Sequence, residues 1–175
     1  MRGIERLRTV ERTTESLAKA LPALPLTETV MIRLIRVGVF GLEDYFLNIF
    51  RDVSFTEKSY HVLCVLVASQ KRQAYPSELS ELIGTSRANM TKLLAAMEKD
   101  GYIKRESGKT DARRSLIKIT AQGVKAVNRI TPLIAQPVAE AFGGLSAEEM
   151  SVLDGLLRKL IVSLDEAKST TGALT

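Results

Sequence analysis

The stretch YPSELSELIGTSRANMTKLLAAMEKDGYIKRESGKTDARRSLIKIT, which runs from Tyr75 to Thr120, decides the fold of this chain. Its first half holds two short helical patterns, Pro76–Ile83 and Arg87–Asp100, separated by the sequence Gly-Thr-Ser. Gly101 follows the second pattern, at the position where a left-handed residue commonly ends a helix. Two short helices joined by a tight turn predict a helix-turn-helix unit.

Two β-prone segments follow this unit. They are Tyr102–Glu106 and Arg114–Ile119, and the polar turn between them contains Gly108. A helix-turn-helix followed directly by a two-stranded ribbon is the outline of a winged helix. Helical patterns dominate the rest of the chain, so the predicted fold class is mainly α with a small β-hairpin wing, flanked by N- and C-terminal helices.

The second helix of the unit has two distinct faces. Spacings of three and four residues place one apolar stripe on it, formed by Met90, Leu93, Leu94 and Met97. The opposite face carries small or basic side chains, namely Ala88, Thr91, Lys92, Ala95 and Lys99. A helix that enters the major groove of DNA needs small side chains for close approach and donors for base edges and phosphates. An ordinary solvated surface helix is the alternative interpretation of this face.

Candidate DNA contacts on this helix begin at its first turn. Ser86 is the expected N-cap, and its position at a helix N-terminus also favours contact with a phosphate. The full set of candidates is Ser86, Arg87, Ala88, Asn89, Thr91, Lys92 and Ala95.

Positive charge is concentrated in the same region. Between Ser86 and Lys118 there are nine basic and four acidic residues, a balance of +5 that equals the net charge of the whole chain. Basicity confined to the helix and ribbon that would face a duplex is an electrostatic signature of phosphate binding.

At this point the chain resembles a known family. The run SRANMTKLLAAMEKDGYIKR, then DARRSLIKIT and the start of a helix at Ala-Gln-Gly, is similar to the MarR family of bacterial transcriptional regulators, over roughly residues 27–164. The resemblance implies that Arg113 enters the minor groove from the wing tip and that Asp111 braces it. Residues two apart on a strand point the same way, so a carboxylate can hold a guanidinium there. A surface ion pair of little consequence is the alternative. The candidate wing contacts are Arg105, Lys109, Asp111, Arg113 and Arg114.

The composition is that of an ordinary globular chain of 175 residues, 45% hydrophobic and 26% charged. No apolar run is long enough to span a bilayer, so we expect no membrane association and a cytoplasmic protein. A single cysteine and a single histidine exclude a disulfide framework and a multi-cysteine zinc site. With no glycine-rich phosphate loop and no paired carboxylates in a shared motif, we expect neither an enzyme nor a cofactor or metal site.

The helices on either side of the winged helix predict an assembly. A helix capped by Thr27 or Thr29 and running to about Phe50 is apolar nearly all round, so it must bury two faces, and a homodimer interface explains this most simply. A last helix, Ala147–Asp165, begins with a capping box from Ser146. The expected organisation is an N-terminal extension (1–26), a dimerisation helix (27–53), a winged helix-turn-helix DNA-binding domain (54–120), C-terminal dimerisation helices (121–166) and a polar tail (167–175).

Further elements complete the predicted fold. A helical pattern over residues 1–20 is too short and too charged to be stable alone, so we expect it to dock on another surface, most simply a second subunit, or else to stay mobile. Thr56 and Thr120 are expected to cap the helices that start at Glu57 and Ala121. Pro132 and Pro137 predict a kink or two segments in the second of these helices.

The sensing function is the part that the sequence defines least. The family resemblance implies a small aromatic or phenolic effector, often an anion, bound in a cleft between the dimer helices and the winged helix. The candidate effector contacts are Arg33, Arg36, Tyr45 and His61. For each of these four residues, the alternative interpretation is a purely structural role. Cys64 lies in an apolar stripe and is interpreted as a buried structural thiol, with redox sensing as the alternative.

The predicted function is therefore a ligand-responsive transcriptional repressor. It binds a palindromic operator in double-stranded DNA as a homodimer and is released by the effector. Two alternatives remain open, a winged-helix module for protein contacts and a DNA-binding regulator without a small-molecule ligand.

Overall fold

The computed structural model describes residues 3–107 and 115–171, which form seven helices and three strands. In chain order these are α1 Gly3–Ala20, α2 Leu26–Asp52, α3 Glu57–Ala68, β1 Gln73–Ala74, α4 Pro76–Ile83, α5 Arg87–Lys99, β2 Ile103–Ser107, β3 Ser115–Ile119, α6 Ala121–Ala141 and α7 Ala147–Thr171. The chain divides into two compact units, residues 1–134 and 135–175. The first unit contains the helix-turn-helix and the sheet.

The predicted helix-turn-helix is confirmed as α4 and α5. Gly84 and Gly101 follow these two helices with positive φ values of 67° and 77°, which glycine adopts at the least cost. The core beneath the unit is formed by side chains from α3, α4, α5, the sheet and α6, and its fully buried members include Leu63, Leu66, Leu79, Leu94, Ile117 and Ile130. Packing against this core fixes the position and rotation of α5.

The sheet contains one strand that the sequence pattern did not reveal. Its order is β1-β3-β2, all antiparallel, so the two-residue strand β1 covers the outer edge of β3. The Ile119 N–H donates to the Arg72 carbonyl at 3.2 Å, just beyond the β1 pairing. The predicted ribbon is confirmed as β2 and β3, with Lys104 opposite Lys118 and Arg105 opposite Ile117.

Two predicted caps are confirmed and one is wrong. The Thr56 side chain accepts from the Ser59 N–H at 3.0 Å, and the Thr120 side chain accepts from the Gly123 N–H at 3.1 Å. Helix α2, however, begins at Leu26 after Pro25 without a side-chain cap, so neither Thr27 nor Thr29 caps it. Thr29 instead donates to the Pro25 carbonyl at 2.7 Å, four residues back within the first turn.

The long helices also differ from expectation. Helix α6 runs through Pro132 and Pro137 as one element, so of the predicted kink or two segments the second is wrong, and the kink stays a prediction. Each proline removes one backbone donor, and the carbonyls that lose it belong to Asn128 and Leu133, which are exposed residues where water can replace the bond. Helix α7 extends to Thr171, beyond the predicted end at Asp165 and into the expected tail. Its capping box is confirmed, because Glu149 accepts from the Ser146 N–H at 2.8 Å.

Helix α1 packs on α2 of the same chain. The contact buries Val10, which is 5% exposed. The Arg6 guanidinium lies 3.4 Å above the ring centroid of Phe40, and the Arg33 guanidinium donates to the Thr13 hydroxyl at 2.6 Å. The segment therefore docks, as expected, but on α2 of its own chain, and these contacts supply the tertiary support that a short charged helix needs.

Large apolar side chains remain exposed on two helices. On α2 they include Met31, Ile32, Ile35, Val39, Phe40 and Leu47, and on α7 they include Val152, Leu156, Leu157, Ile161, Val162 and Leu164. Single exposed apolar residues are ordinary, but rows of them along whole helices mark contact surfaces. Within the described residues, none of the helices has the length and apolar character that crossing a membrane requires.

Candidate nucleic-acid interface

Helix α5 exposes the whole predicted contact set. Its apolar stripe is buried, with Met90 1% exposed, Leu94 0% and Met97 2%. This anchoring sets the rotation of the helix and turns the opposite face outward. Every candidate on that face is exposed: Ser86, Arg87, Ala88, Asn89, Thr91, Lys92 and Ala95.

Ser86 is the N-cap of α5, as predicted. Its hydroxyl accepts from the Asn89 N–H at 3.2 Å, and its backbone carbonyl accepts from the Met90 N–H at 2.9 Å. The capped first turn thus starts at a defined residue and presents its remaining N–H groups to solvent, in a position that favours an anion.

A carboxylate joins the helix to the wing. Glu98 accepts from the Arg105 backbone N–H at 3.1 Å and from the Arg105 Nε at 3.0 Å. Arg105 is one of the predicted wing contacts, and the structure places its guanidinium against α5. Its position therefore fixes the angle between helix and ribbon, a role that the sequence pattern did not indicate.

The other described charges of the ribbon are paired with each other. Glu106 pairs with Lys104 at 2.6 Å and with Lys118 at 3.6 Å, because Lys104 and Lys118 lie opposite each other in the ladder. The hydrogen bond from Lys104, and more weakly the charge of Lys118, lower the pKa of the Glu106 carboxyl. Among the described residues between Ser86 and Lys118, the basic side chains outside any ion pair are Arg87, Lys92 and Lys99, all on α5.

The tip of the wing holds the remaining predicted contacts. Lys109, Asp111, Arg113 and Arg114 lie outside the described residues. The two strands that precede and follow these residues in sequence are described, and they pair as an antiparallel ladder from Ile103–Ile119 to Ser107–Ser115.

A large cleft lies behind α5, within the first unit. It has a volume of about 1020 Å³ and is lined by side chains from α2, α3 and α5 and from the loops that follow α2 and α5. Its apolar wall contains the rings of Phe40, Phe50, Phe55 and Tyr102. These aromatic residues were not singled out from the sequence, although two of them, Phe50 and Phe55, lie close together between the end of α2 and the start of α3.

The four predicted effector contacts lie elsewhere. Arg33 binds Thr13 of α1, and its Nη1 atom is buried without a hydrogen-bond partner. Arg36 and His61 are exposed, and Tyr45 packs edge-on against Phe46 at 5.3 Å between ring centroids. None of these four residues lines the cleft, because the helical positions that face it on α2 are those of Phe40, Asp44 and Leu47.

Cys64 is partly buried beside Tyr60 in α3. Burial raises the pKa of the thiol, and the Tyr60 hydroxyl offsets only part of this effect. The same hydroxyl makes a 2.8 Å hydrogen bond with the Thr131 hydroxyl of α6. A thiol with a raised pKa holds little thiolate at neutral pH, which is consistent with the structural interpretation.

The capped recognition helix, its exposed basic face and the adjoining ribbon define a winged helix-turn-helix DNA-binding protein. The sequence profile of the MarR family matches residues 55–115, which span α3 to the start of β3. Over these residues the chain is similar to the MarR family, a family of DNA-binding transcriptional regulators.

Individual relatives agree with this placement. The chain is similar to the HTH-type transcriptional regulator PrsX of Escherichia coli, with 26% identity over 148 residues that cover 85% of this chain and 89% of PrsX. It is also similar to the transcriptional repressor MprA of Escherichia coli K12, with 29% identity over 110 residues that cover 63% of this chain and 62% of MprA.

Solved structures share the fold. Sco3205 of Streptomyces coelicolor, a MarR family regulator in complex with DNA, has a TM-score of 0.73 and 25% identity, covering 81% of this chain and 89% of its own. BpsR of Bordetella bronchiseptica, whose DNA binding is regulated by 6-hydroxynicotinic acid, has a TM-score of 0.66 and 21% identity, covering 73% of this chain and 89% of its own.

Proposed function

We propose that this chain is a ligand-responsive repressor that binds a palindromic operator as a homodimer. The observation that carries the proposal is the outward face of α5, where Arg87, Lys92 and Lys99 are exposed and outside any described ion pair. Every other described basic side chain between Ser86 and Lys118 is engaged with a carboxylate of the chain itself. The cations of α5 are therefore the ones available to phosphates.

The contacts divide into positioning and specifying groups. The capped N-terminus of α5 and Arg87 bind phosphates and set the register of the helix in the major groove. Asn89 and Thr91 reach base edges, because they project from a face whose other members, Ala88 and Ala95, are small enough for close approach, and Lys92 on the same face reaches a base edge or a phosphate.

The wing adds contacts in the adjacent minor groove. Lys109, Asp111, Arg113 and Arg114 lie outside the described residues, so their role rests on the sequence. Asp111 and Arg113 are two residues apart, which suits a carboxylate that holds a guanidinium for insertion. A narrow minor groove attracts arginine, so A·T-rich flanks are expected in the operator.

The exposed apolar rows of α2 and α7 support the homodimer. One recognition helix covers only a few base pairs, whereas a twofold pair contacts two half-sites about 34–36 Å apart. An operator read this way is a palindrome, because it mirrors the symmetry of the protein. Dimerisation also removes the apolar rows from water.

The cleft supports the ligand response. A small aromatic effector bound between α2, α3 and α5 contacts both the helix that carries the dimer surface and the helix that carries the DNA face. A ligand that prefers the non-binding separation of the two recognition helices by about 5.5 kcal/mol converts a 99:1 population to 1:99. A small molecule regulates DNA binding by BpsR, and MprA is a transcriptional repressor. Release by ligand and repression are the modes we assign to this chain in the cytoplasm.

The proposal is tested with duplexes from the region upstream of the protein's own coding sequence. Fluorescence anisotropy is expected to show sequence-specific binding that a member of a small aromatic panel reverses. Lys92→Ala and Arg113→Ala should each weaken binding by about 1–3 kcal/mol, whereas Lys19→Ala, the matched control on α1, should bind as the wild type does. Equal affinity for all four proteins would refute the assigned face, and binding that no ligand reverses would favour a regulator without an effector.

A winged-helix module for protein contacts is the competing function. It requires no selectivity for DNA, so specific and scrambled duplexes would bind equally weakly. The unpaired cations of α5 favour the regulator, because a protein-binding face has no need of a row of free positive charges beside small residues.

A further inference from the structure

The cleft behind α5 has an aromatic wall. The rings that line it are Phe40 and Phe50 of α2, Phe55 of the loop after α2 and Tyr102 of the loop after α5. The Phe55 and Tyr102 rings meet edge-on at 5.2 Å between centroids. Ring faces carry negative partial charge and attract cations, most strongly where water is displaced.

Acidic side chains outnumber basic side chains around this wall. Four carboxylates line the cleft, those of Glu43, Asp44, Glu57 and Asp100, against two cations, Arg51 and Lys58. Within the described part of the chain, no ion pair engages any of these four carboxylates. They come from α2, from α3 and from the end of α5, so a bound molecule meets negative charge on three sides.

A cation of the chain already occupies one ring of this wall. The Arg6 guanidinium of α1 lies 3.4 Å above the centroid of Phe40, and Phe40 also lines the cleft. This contact shows that Phe40 stacks with a planar delocalised cation, although Arg6 itself does not line the cleft.

From these observations we propose that the cleft selects a flat aromatic cation, such as an amidinium or a protonated amine on a fused-ring frame. This inference rests on the proposed ligand response and specifies the chemical class of its effector. A volume of about 1020 Å³ lies at the upper end of small-molecule sites, so it suits two or three fused rings. The described residues contain no cluster of carboxylate, histidine or cysteine side chains fit to hold a metal ion. The negative charge therefore surrounds a larger cation and does not converge on a metal.

The test uses three ligands of one shape and different charge. These are 2-naphthamidinium, 2-naphthamide and 2-naphthoate, titrated into the full chain by calorimetry and then added to its complex with operator DNA. The amidinium is expected to bind at least about tenfold more tightly than the carboxylate, with the amide between them. The difference should narrow as salt is raised, because part of it is screened charge attraction.

Variants locate the effect. Glu43→Gln and Asp100→Asn, on opposite walls of the cleft, should each reduce the preference for the amidinium over the naphthoate at least about threefold while leaving the affinity for the neutral amide unchanged. Glu81→Gln, the matched control on α4, removes the same charge outside the cleft and should leave the preference as it is. Circular dichroism melts confirm that all three variants are folded.

Each result decides the inference. Equal or tighter binding of the naphthoate, binding of none of the three ligands, or a preference that neither cleft variant changes would overturn it. The operator complex distinguishes these failures from failure of the proposed function. If the naphthoate anion binds and releases the DNA, only the preference for a cation is overturned. If the protein shows no sequence-specific DNA binding, the assignment as a transcriptional regulator is overturned.

Discussion

Gly123 is the residue whose size most constrains the join between wing and α6. A Cβ atom there would overlap the Tyr102 carbonyl oxygen and lie 2.6 Å from Ile119 Cγ1. Neither neighbour can yield easily, since one is backbone at the start of β2 and the other is a buried core side chain. The Thr120 hydroxyl, which accepts from the Gly123 N–H, further fixes this first turn.

Gly123→Ala should therefore lower the free energy of unfolding by about 1–3 kcal/mol, the usual cost of overpacking. Urea unfolding measures the change. Gly144→Ala is the control, because an added Cβ there meets nothing within 4 Å, and it should shift stability by less than about 0.5 kcal/mol. A Gly123→Ala protein as stable as the wild type would mean that the turn can relax.

Cys64 offers a test of pH dependence. Burial raises the pKa of its thiol, so the unfolded chain ionises first as pH rises past the ordinary thiol value of about 8.5. The unfolded state then binds fewer protons than the native state, and stability falls with rising pH until the native thiol also ionises. Wild-type protein should lose more stability between pH 7 and 9.5 than Cys64→Ser does, as measured by urea unfolding. Parallel pH profiles, or labelling of folded protein by iodoacetamide at the rate of a free thiol, would contradict this.

At the scale of elements, the helix-turn-helix and ribbon could be predicted closely from sequence because their determinants are local. Ser86, Gly84 and Gly101 set boundaries within a few residues of themselves. Strand β1 could not be predicted, since Gln73 pairs with Lys118, which is 45 positions away, and two residues carry no periodicity. The aromatic wall of the cleft was missed for the same reason, because Phe40 and Tyr102 meet only through the tertiary fold.

The sequence predicts the net positive charge of the helix and ribbon but not which of the basic side chains are held in ion pairs. A balance of +5 between Ser86 and Lys118 does not reveal that Glu106 and Glu98 hold Lys104, Lys118 and Arg105. Side-chain pairing across a strand depends on register, which fixed the position of Lys104 opposite Lys118. The candidate effector arginines were chosen from an apolar helix without knowledge of which of its sides faces the cleft.

Val10 is the buried residue of helix α1 and is central to its packing on α2. Val10→Asp places a charge at a site that is 5% exposed, which should detach α1 from α2 and increase amide exchange in residues 3–20 at least about tenfold. Ser16→Asp, at an exposed position of the same helix, is the control and should leave exchange unchanged. Exchange in α3 and α5 should stay protected in both variants, because Val10 lies outside the winged-helix core. Unaltered exchange in the Val10 variant would show that α1 is held by other contacts.

At the scale of the whole molecule, the exposed apolar rows of α2 and α7 require a partner, and the proposed partner is a second copy. Ile161→Glu, on the exposed row of α7 where Ile161 is 60% exposed, should shift the protein from dimer to monomer in sedimentation velocity at micromolar concentration. Ser163→Glu adds the same charge at a polar position of the helix and should remain dimeric. A wild-type protein that sediments as a monomer would contradict the proposal that a twofold-symmetric dimer binds the operator.

The salt dependence of operator affinity tests the central claim most directly, namely that the unpaired cations of α5 bind phosphates or bases of a duplex. The logarithm of the association constant is expected to fall steeply and linearly with the logarithm of salt concentration for the wild type. If Lys92 contacts a phosphate, Lys92→Ala should reduce the slope of this salt dependence by about one for each α5 helix bound. If Lys92 contacts a base, the variant should keep the wild-type slope but lose discrimination between operator and scrambled DNA. Wild-type slope, affinity and discrimination in Lys92→Ala would contradict the account.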